Sequence, residues 1–379
     1  MIYLDYSATT MVDEEVLKTF NSVAKNYFAN PNSLHKLGVK SKELIDKAIE
    51  QISKELKIDK DEIIFTSSAS ESNNMAIKGI CFKYKDRGKH IITTPLEHSS
   101  SVAALNYLVS LGYEVSIINL NKDGTIDMQH LKKLIRDDTI LVTMSAVDSE
   151  LGIRQNVEEI GNFLKNYPKC FFHVDITQCI GKDKIDLKNI DLASFSAHKI
   201  YCFKGIAGLY KKKNIVIEPL IHGGKSTTIY RSGTPQVELI VSFSKAIRLA
   251  FENIDKKYEH VLKLNKKIRK NLNRYKNIKI NSTNKSIPHI LNISVIGIKP
   301  ETFVHALEEF DIYISTKSAC SKSGDISHSV MALTNDEKRS SYTLRISLSY
   351  RTTDEEIDNF LRFFKICYQN LSWDNDENN

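Results

Sequence analysis

The sequence predicts an α/β fold in two domains, and three observations support that prediction. Short apolar runs rich in β-branched residues alternate with longer segments of helical period. The runs are almost continuously apolar, which is typical of strands buried on both faces of a mostly parallel sheet. The chain has 379 residues, of which 41% are hydrophobic and 26% are charged, so it can bury the cores of two ordinary globular domains.

The first part of the chain carries the pattern of the main sheet. Strands are predicted at 62–66, 90–94, 114–120, 140–147, 170–175, 192–196 and 205–210. Helices are predicted between them at 71–83, 99–111, 128–135 and 157–167. This alternation indicates helices that pack on the faces of one sheet.

A second, smaller α+β domain is predicted towards the C-terminus. Residues 237–275 contain no Pro or Gly and predict one long helix that bridges to this domain. Strands at 290–296 and 344–348 and helices at 301–310 and 354–370 follow. We therefore expect a large domain at 15–250, a small domain formed by 1–14 and 251–371, and a polar, frayed tail at 372–379.

Composition narrows the classes of function. The N-terminus has no basic segment followed by an apolar run, and no stretch of about 18 apolar residues occurs, so neither a signal peptide nor a membrane span is predicted. Six cysteines are scattered without CxxC spacing, which predicts a cytoplasmic location and no metal site. The net charge of +7 is typical of solvated lysine-rich helix faces or of a docking surface for an acidic partner, and no nucleic-acid-binding signature accompanies it.

The segment DLASFSAHKIYCFKG, residues 191–205, contains the most informative lysine. A strand-like run ends at Ser196, and His198 and Lys199 follow before a glycine-containing loop. A lysine at the end of a buried strand is costly unless it is used or neutralised, and such a lysine can form a Schiff base with pyridoxal 5′-phosphate (PLP). Lysines at strand exits are also commonly structural or solvated, so this segment alone leaves both alternatives open.

An acidic residue lies in the upstream segment FFHVDITQCIG, residues 171–181. Asp175 follows a hydrophobic strand, and a buried carboxylate there would keep the pyridine nitrogen of PLP protonated. Gln178, three residues on, could hydrogen-bond the phenolic oxygen of the cofactor. The alternative for Asp175 is a helix N-cap after a strand.

Two further segments place polar residues at the start of a helix. In FTSSASESNN, residues 65–74, a strand runs into small hydroxyl residues and a helix start, which can cradle a phosphate or simply cap the helix. In TPLEHSS, residues 94–100, His98 begins a helix after a strand. Its imidazole could stack on a pyridine ring, or it could be a satisfied structural histidine.

The segment ISTKSACSKSG, residues 314–324, surrounds Cys320 with small and polar residues. This composition predicts a mobile, exposed loop rather than core. An exposed thiol close to lysines tends towards a lowered pKa and a larger thiolate fraction, so Cys320 is a candidate nucleophile.

Nucleotide-binding motifs are absent. Gly223-Gly224-Lys225-Ser226 is similar to the end of a P-loop, but Pro219 stands where that motif needs its first glycine. No GxGxxG follows a predicted strand, which disfavours a dinucleotide-binding dehydrogenase.

The order and spacing of nine motifs resemble the NifS/IscS group of cysteine desulfurases, which are fold-type I PLP enzymes of the class-V aminotransferase family. The motifs are LDYSATT, NPNSLH, FTSSASES, LEHSS, HVDITQ, SFSAHK, RSGT, SAC and LRISLS. The resemblance runs from about Ile2 to about Phe364. The interval of 25 residues between Cys320 and Arg345 is similar to the subgroup whose catalytic cysteine lies on a long, flexible loop. A large domain with a mixed, mostly parallel sheet and a smaller C-terminal α+β domain are implied.

The resemblance also implies roles for individual residues. Those that hold PLP are Lys199 through a Schiff base, Asp175 at the pyridinium nitrogen, His98 on the ring, Gln178 and Ser149 at the phenolic oxygen, and Ala69, Ser70, Ser196 and His198 at the phosphate. Those that bind the substrate are Arg345, at its carboxylate, with Asn30 and Ser149. Those that take part in the chemistry are Lys199, His98 and Cys320. Thr234, in RSGT, would reach the phosphate of the neighbouring subunit, so a homodimer is implied.

The implied reaction converts L-cysteine to L-alanine. Lys199 serves as base and acid, and Cys320 as thiolate attacks the substrate sulfur and becomes a persulfide. An acceptor protein then receives the sulfur for iron–sulfur clusters, a thio-cofactor or tRNA thiolation. Neither direct nucleic-acid binding nor membrane binding is implied.

Several positions depart from the family pattern. The usual VNNEIG reads VDSELG, so Ser149 replaces an Asn, at the expense of about one hydrogen bond, roughly 0.5–1.5 kcal/mol. Ser68 replaces a phosphate-loop Gly, Phe203 replaces a Pro, and Lys225–Thr227 interrupt a glycine-rich stretch. The complete core machinery favours an active desulfurase. The alternatives are a lyase or eliminase of a cysteine- or selenocysteine-like substrate, and a weakened paralogue that acts as a binding component.

Overall fold

The structure is a computed structural model that describes residues 1–316 and 326–376. Its strands are β1 (Ile2–Tyr3), β2 (Ile63–Thr66), β3 (His90–Thr93), β4 (Glu114–Ile117), β5 (Thr139–Ser145), β6 (Phe171–Asp175), β7 (Leu192–Ser196), β8 (Ala207–Lys211), β9 (Ile278–Ile280), β10 (Ile290–Val295), β11 (Ile312–Tyr313) and β12 (Thr343–Ser347). Its α-helices are α1 (Glu14–Asn26), α2 (Lys36–Leu56), α3 (Ala69–Lys83), α4 (Ser99–Ser110), α5 (Met128–Leu134), α6 (Val157–Leu164), α7 (Val237–Phe251), α8 (Ile254–Leu272), α9 (Pro300–Glu308), α10 (His328–Thr334), α11 (Glu337–Ser341) and α12 (Asp354–Asp376).

The main sheet has seven strands in the order β2-β8-β7-β6-β5-β3-β4. All neighbouring pairs are parallel except those that involve β8, which runs antiparallel to both β2 and β7. Each residue of β5, β6 and β7 is buried, as expected for central strands covered on both faces. The predicted α/β fold with a mixed, mostly parallel sheet is therefore confirmed.

Side chains that alternate along the strands supply two hydrophobic clusters, one on each face of the sheet. Ile91 and Leu141 belong to a cluster with residues of α3 and α4. Their neighbours Ile92 and Val142 belong to a second cluster with residues of α1, α2, α6 and α7. Because successive side chains point to opposite faces, a continuous apolar run can fill both clusters at once.

A separate hydrophobic cluster lies under the smaller sheet, β12-β10-β9, which is antiparallel. It contains apolar residues of β10, β12, α8, α9 and α12, and it also includes Leu4. The N-terminal strand β1 pairs in parallel with β11. These contacts support the proposed division into a large domain and a small one, although the exact boundaries stay a prediction.

The predicted long helix over 237–275 is corrected by the structure, which has two helices there. α7 ends at Phe251, and α8 begins at Ile254 after Asn253, whose φ of 56° lies in the left-handed region. Asn enters this region more readily than other residues with a side chain, so it can break a helix without Pro or Gly. The break allows α7 to pack in the cluster it shares with α1, α2 and α6 on the main sheet, which is the large core. It allows α8 to pack in the cluster under the smaller sheet, which is the smaller core.

The frayed tail at 372–379 stays a prediction, although its first five residues belong to the last helix. α12 continues to Asp376, because no Gly or Pro follows Asp354 to stop it. Residues 377–379 lie outside the described part. Among the described residues, no helix combines the length and apolar character needed to cross a bilayer.

The left-handed Asn253 leads to a prediction about stability. Asn253→Ala should destabilise the protein by about 1–2 kcal/mol, because Ala cannot adopt this conformation without strain. Asn253→Gly should be close to neutral. Urea unfolding of both variants measures the difference. If Ala stabilised the chain, as in an uninterrupted helix, the break would not be required.

Candidate active site

A cavity of about 220 Å³ lies at the carboxyl ends of the central strands. Its lining is Ser7, Ala8, Ser68, Ala69, Ser70, His98, Ser145, Val147, Ser149, Asp175, Thr177, Gln178, Ser196, His198, Lys199 and Arg345. Parallel pairing sets Ser145 beside Asp175 and Asp175 beside Ser194, so the ends of β5, β6 and β7 meet at one edge of the sheet. Such an edge is where open α/β sheets bind their ligands.

Lys199 enters the cavity from the short 3₁₀ turn that follows β7. Its Nζ donates a hydrogen bond to the Ala8 carbonyl at 2.7 Å and a second one to the Ser7 carbonyl. The sequence analysis assigned no role to Ser7 or Ala8, although both belong to the motif LDYSATT. The N-terminal segment thus crosses the cavity and holds the lysine amine.

Asp175 is the last residue of β6 and is only 7% exposed. One carboxylate oxygen accepts from the Asn73 side-chain amide at 2.8 Å, and the other accepts from the Thr177 backbone N–H at 2.9 Å. Both donors are neutral, so neither of them cancels the charge of the carboxylate. A buried carboxylate in this setting is stabilised by a cationic group of a ligand.

His98 is held by hydrogen bonds that lead to the same carboxylate. It is the N-cap of α4, and its Nδ1 accepts from the Ser100 backbone N–H at 3.2 Å. The Ser100 hydroxyl accepts in turn from the Asn73 amide at 2.9 Å. Burial lowers the pKa of His98, with a smaller effect from the charge of Lys199. The ring is therefore neutral at physiological pH and fixed at one wall.

The start of α3, which lines another part of the cavity, suits an anion. Ser68 is the N-cap of α3, and Ala69 and Ser70 begin this helix, so backbone N–H groups of its first turn are available at the cavity. His198 lines the same cavity, and its Nδ1 lies 3.1 Å from the Thr9 hydroxyl. Burial and nearby lysines lower the pKa of His198 to about 4, so it is an uncharged hydrogen-bonding group.

Arg345 lies in β12 with only 1% of its surface exposed. Its Nη2 forms an ion pair with Asp5 at 2.8 Å, and its Nη1 donates to the Ser149 carbonyl at 3.0 Å. Its Nε has no hydrogen-bond partner among the described residues. The pairing with Asp5 was not predicted, and it gives the buried guanidinium a counter-charge.

The chemistry of these groups fits PLP. A ligand that carries both a phosphate, for the helix start, and a cationic ring nitrogen, for Asp175, would match these two groups, and the Lys199 amine reaches the same cavity. Ten of the residues predicted to hold PLP or its substrate line this cavity. Their individual roles stay predictions.

Two predicted site residues do not line the cavity, and a third lies outside the described residues. Asn30 is exposed, and its side chain accepts from the Asn32 N–H at 2.9 Å. Thr234 lines a separate, smaller pocket with Thr66 and Ser226, although its predicted role concerns the neighbouring subunit. Cys320 lies outside the described residues.

Two departures from the family pattern have a structural account. The Ser68 hydroxyl accepts from the Glu71 N–H at 3.2 Å and so caps α3. The Phe203 ring packs on Phe20, with ring centres 4.6 Å apart. Both replacements therefore make local contacts.

A pair of buried carboxylates supports the turn that carries Ser149. Asp148 accepts from the Ser329 hydroxyl at 3.0 Å, and Glu150 accepts from the Ser327 hydroxyl at 2.5 Å. Burial raises the pKa of Asp148 to about 7, and the charge of Glu150 adds to the effect. The sequence analysis noted this segment only for Ser149, so the acidic pair is a feature that it missed.

Comparisons with known proteins agree with this arrangement. The family model described as "Aminotransferase class-V" matches residues 2–360. A "NifS/IcsS protein homolog" from Lactobacillus delbrueckii is 38% identical over 98% of both chains. A protein named "Cysteine desulfurase IscS" from Clostridium botulinum is 37% identical over 94% of this chain and 91% of its own. A solved "NIFS-LIKE PROTEIN" superposes with a TM-score of 0.91 at 34% identity, over 98% of this chain and 99% of the other.

The burial of five thiols predicts selective alkylation. Cys81, Cys170, Cys179, Cys202 and Cys367 are buried, and burial raises the pKa of each thiol. Iodoacetamide at neutral pH should therefore modify one cysteine rapidly, and mass spectrometry should locate it at Cys320. In Cys320→Ala the fast phase should vanish. A fast phase that persisted would contradict the prediction.

The raised pKa of Asp148 predicts how stability depends on pH. The folded-state pKa of about 7 exceeds the ordinary value of 3.8, so the folded protein binds the proton more tightly. This contribution is present at acidic pH and is lost as pH rises from about 4 through 7.

Asp148→Asn removes that contribution. Relative to wild type, the variant should gain about 2 kcal/mol in unfolding free energy between pH 5 and pH 8. Urea unfolding at both pH values measures this, and Asp137→Asn, at an exposed carboxylate, is the control. Parallel pH profiles for wild type and Asp148→Asn would disprove the account.

Proposed function

The chain belongs to the class-V aminotransferase family, in its NifS/IscS group, and we propose that it is a PLP-dependent cysteine desulfurase. It converts L-cysteine to L-alanine and passes the sulfur to an acceptor. The observation that carries the proposal is the convergence of the Lys199 amine and the buried Asp175 carboxylate on one cavity.

The residues that would hold the cofactor lie at both ends of the cavity. When bound, PLP supplies an electron sink next to the substrate Cα, which acidifies the Cα–H bond. Asp175 would accept from the protonated ring nitrogen, and His98 would lie against the ring. Gln178 would donate to the phenolic oxygen. The residues that would bind the phosphate are Ala69, Ser70, Ser196, His198 and, in a homodimer, Thr234 of the partner subunit.

Arg345 would orient the substrate through its carboxylate. The guanidinium fork suits two parallel hydrogen bonds to a carboxylate, and its Nε has no acceptor in the described part of the chain. The Asp5 ion pair and the Ser149 carbonyl hold the fork in place before substrate arrives. The substrate therefore binds a group whose position is already fixed, which lowers the entropic cost of binding. Asn30 would shape the substrate end of the pocket.

Lys199 and Cys320 would carry out the proton and sulfur transfers. The Lys199 amine takes the proton from the substrate Cα and returns a proton later in the reaction. The Cys320 thiolate attacks the substrate sulfur, so a new S–S bond forms as the Cβ–S bond breaks. The electron pair of the broken bond stays with the carbon skeleton, which takes up protons and leaves as alanine. Cys320 is left as a persulfide.

The partners of this activity follow from the same chemistry. Phe28, Leu34 and Ile229 are 77%, 99% and 69% exposed, and a groove joins the segment of Leu34 to residues next to Thr234, which supports a homodimer at this surface. A persulfide needs a protein that accepts its outer sulfur. The acceptor serves iron–sulfur cluster assembly or the thiolation of a cofactor or tRNA. Unpaired thiols are consistent with action in the cytoplasm.

The proposal is tested with the purified, PLP-loaded protein. Wild type should release alanine from L-cysteine, and Cys320→Ala should lose at least about a hundredfold of that rate while it keeps the absorption of bound PLP. Cys367→Ala, at a buried thiol of the smaller core, is the matched control and should stay active.

Three outcomes would contradict the proposal. A protein that takes up no PLP is not a PLP enzyme. Release of pyruvate and ammonia in place of alanine would indicate an eliminase. Full sulfide release by Cys320→Ala would exclude the persulfide mechanism.

A further inference from the structure

Lys182 lies behind the cavity wall, four residues after Gln178 in the turn that follows β6. Its Nζ donates to the Gln178 side-chain carbonyl, Oε1, at 2.7 Å. We propose that Lys182 is a positioning residue that fixes the amide of Gln178 with its Nε2 donor towards the cavity. The proposal rests on the proposed function, because the group that Gln178 meets there is the phenolic oxygen of PLP.

The amine determines which way the amide lies. The two ends of a Gln side chain are similar in shape, so its orientation depends on the hydrogen-bond network. The ammonium form of a lysine only donates hydrogen bonds, and an amide N–H cannot accept one. While Lys182 is protonated, Oε1 of Gln178 therefore faces it, and Nε2 faces away from it.

The other end of the amide is fixed by the N-terminal segment. Gln178 Nε2 donates to the Ser7 carbonyl at 3.0 Å, and the same carbonyl accepts from Lys199. Nε2 carries two N–H bonds, and the second has no acceptor among the described residues. A donor is therefore left for an anionic oxygen in the cavity, next to the amine that would bind the cofactor.

The surroundings of Lys182 indicate that its amine does not stabilise the fold. The charged or titratable groups near it are Lys199, Arg345, Lys257, His289, Cys179 and the phenols of Tyr6, Tyr201 and Tyr350. Among the described residues no carboxylate pairs with it. Burial, with smaller effects from the like charges of Lys199 and Arg345, lowers the pKa of Lys182 to about 7. An amine in such a place destabilises the fold, whereas an apolar side chain would not.

Loss of Lys182 frees the amide to rotate. If Oε1 turned towards the cavity, its lone pairs would oppose the phenolic oxygen, and one charge-assisted hydrogen bond would be lost. Binding of PLP should then weaken by about tenfold or more. Catalysis should also suffer, but affinity reports the effect without any turnover.

The experiment is a double-mutant cycle on PLP binding. Apoprotein is titrated with PLP, and the absorption of the bound cofactor gives the dissociation constant for wild type, Lys182→Met, Gln178→Ala and the double variant. Lys182→Met should weaken binding about tenfold in the wild-type background and leave it nearly unchanged in Gln178→Ala. Lys182→Arg keeps a donor and should restore most of the affinity.

Thermal unfolding of the apoproteins separates positioning from a structural role. Lys182→Met should be at least as stable as wild type, because it removes a largely desolvated amine that no carboxylate among the described residues neutralises. Lys182→Ala is a second variant with the same expected loss of affinity. Equal losses with and without Gln178, or no loss in either Lys182 variant, would overturn the inference. If the Lys182 inference failed but wild type bound PLP and made alanine, the proposed function would still stand. If wild type bound no PLP, the inference and the proposed function would both be wrong.

Discussion

The buried carboxylate of Asp175 is the constraint on which the rest of the site depends. It ends the central strand β6, and the neutral donors of Asn73 and Thr177 hold both of its oxygens without cancelling its charge. Through Asn73 the same network reaches Ser100 and so fixes His98. The buried charge of Asp175 therefore orients the start of α4 and the His98 ring, and with them one wall of the cavity.

The N-terminal segment connects the site to both hydrophobic cores. Leu4 is buried in the smaller core, Asp5 pairs with Arg345, and the carbonyls of Ser7 and Ala8 accept from Lys199. The lysine comes from the main sheet and the arginine from the smaller one. The two side chains reach one cavity because the N-terminal segment contacts both parts of the protein, so their relative position depends on how these parts pack.

Titratable groups behind the cavity wall form hydrogen bonds that support the residues lining it. Asp148 and Glu150 hold Ser329 and Ser327 beneath the turn that carries Ser149, and Lys182 holds Gln178. Each of these contacts places a polar group behind a residue that lines the cavity. A pocket shaped only by packing would not need groups that are this costly to bury.

The sequence by itself determined the fold class and pointed to ten of the residues that line the cavity, because strand and helix periods and motif spacing are local properties of the chain. Tertiary structure decided the rest. The ion pair between Arg345 and Asp5 joins residues 340 positions apart, and no local pattern encodes such a contact. The helix break at Asn253 was likewise missed. Asn253 adopts its left-handed conformation where α7 and α8 pack in two different hydrophobic clusters, and the continuous helical period of the sequence does not reveal this change of direction.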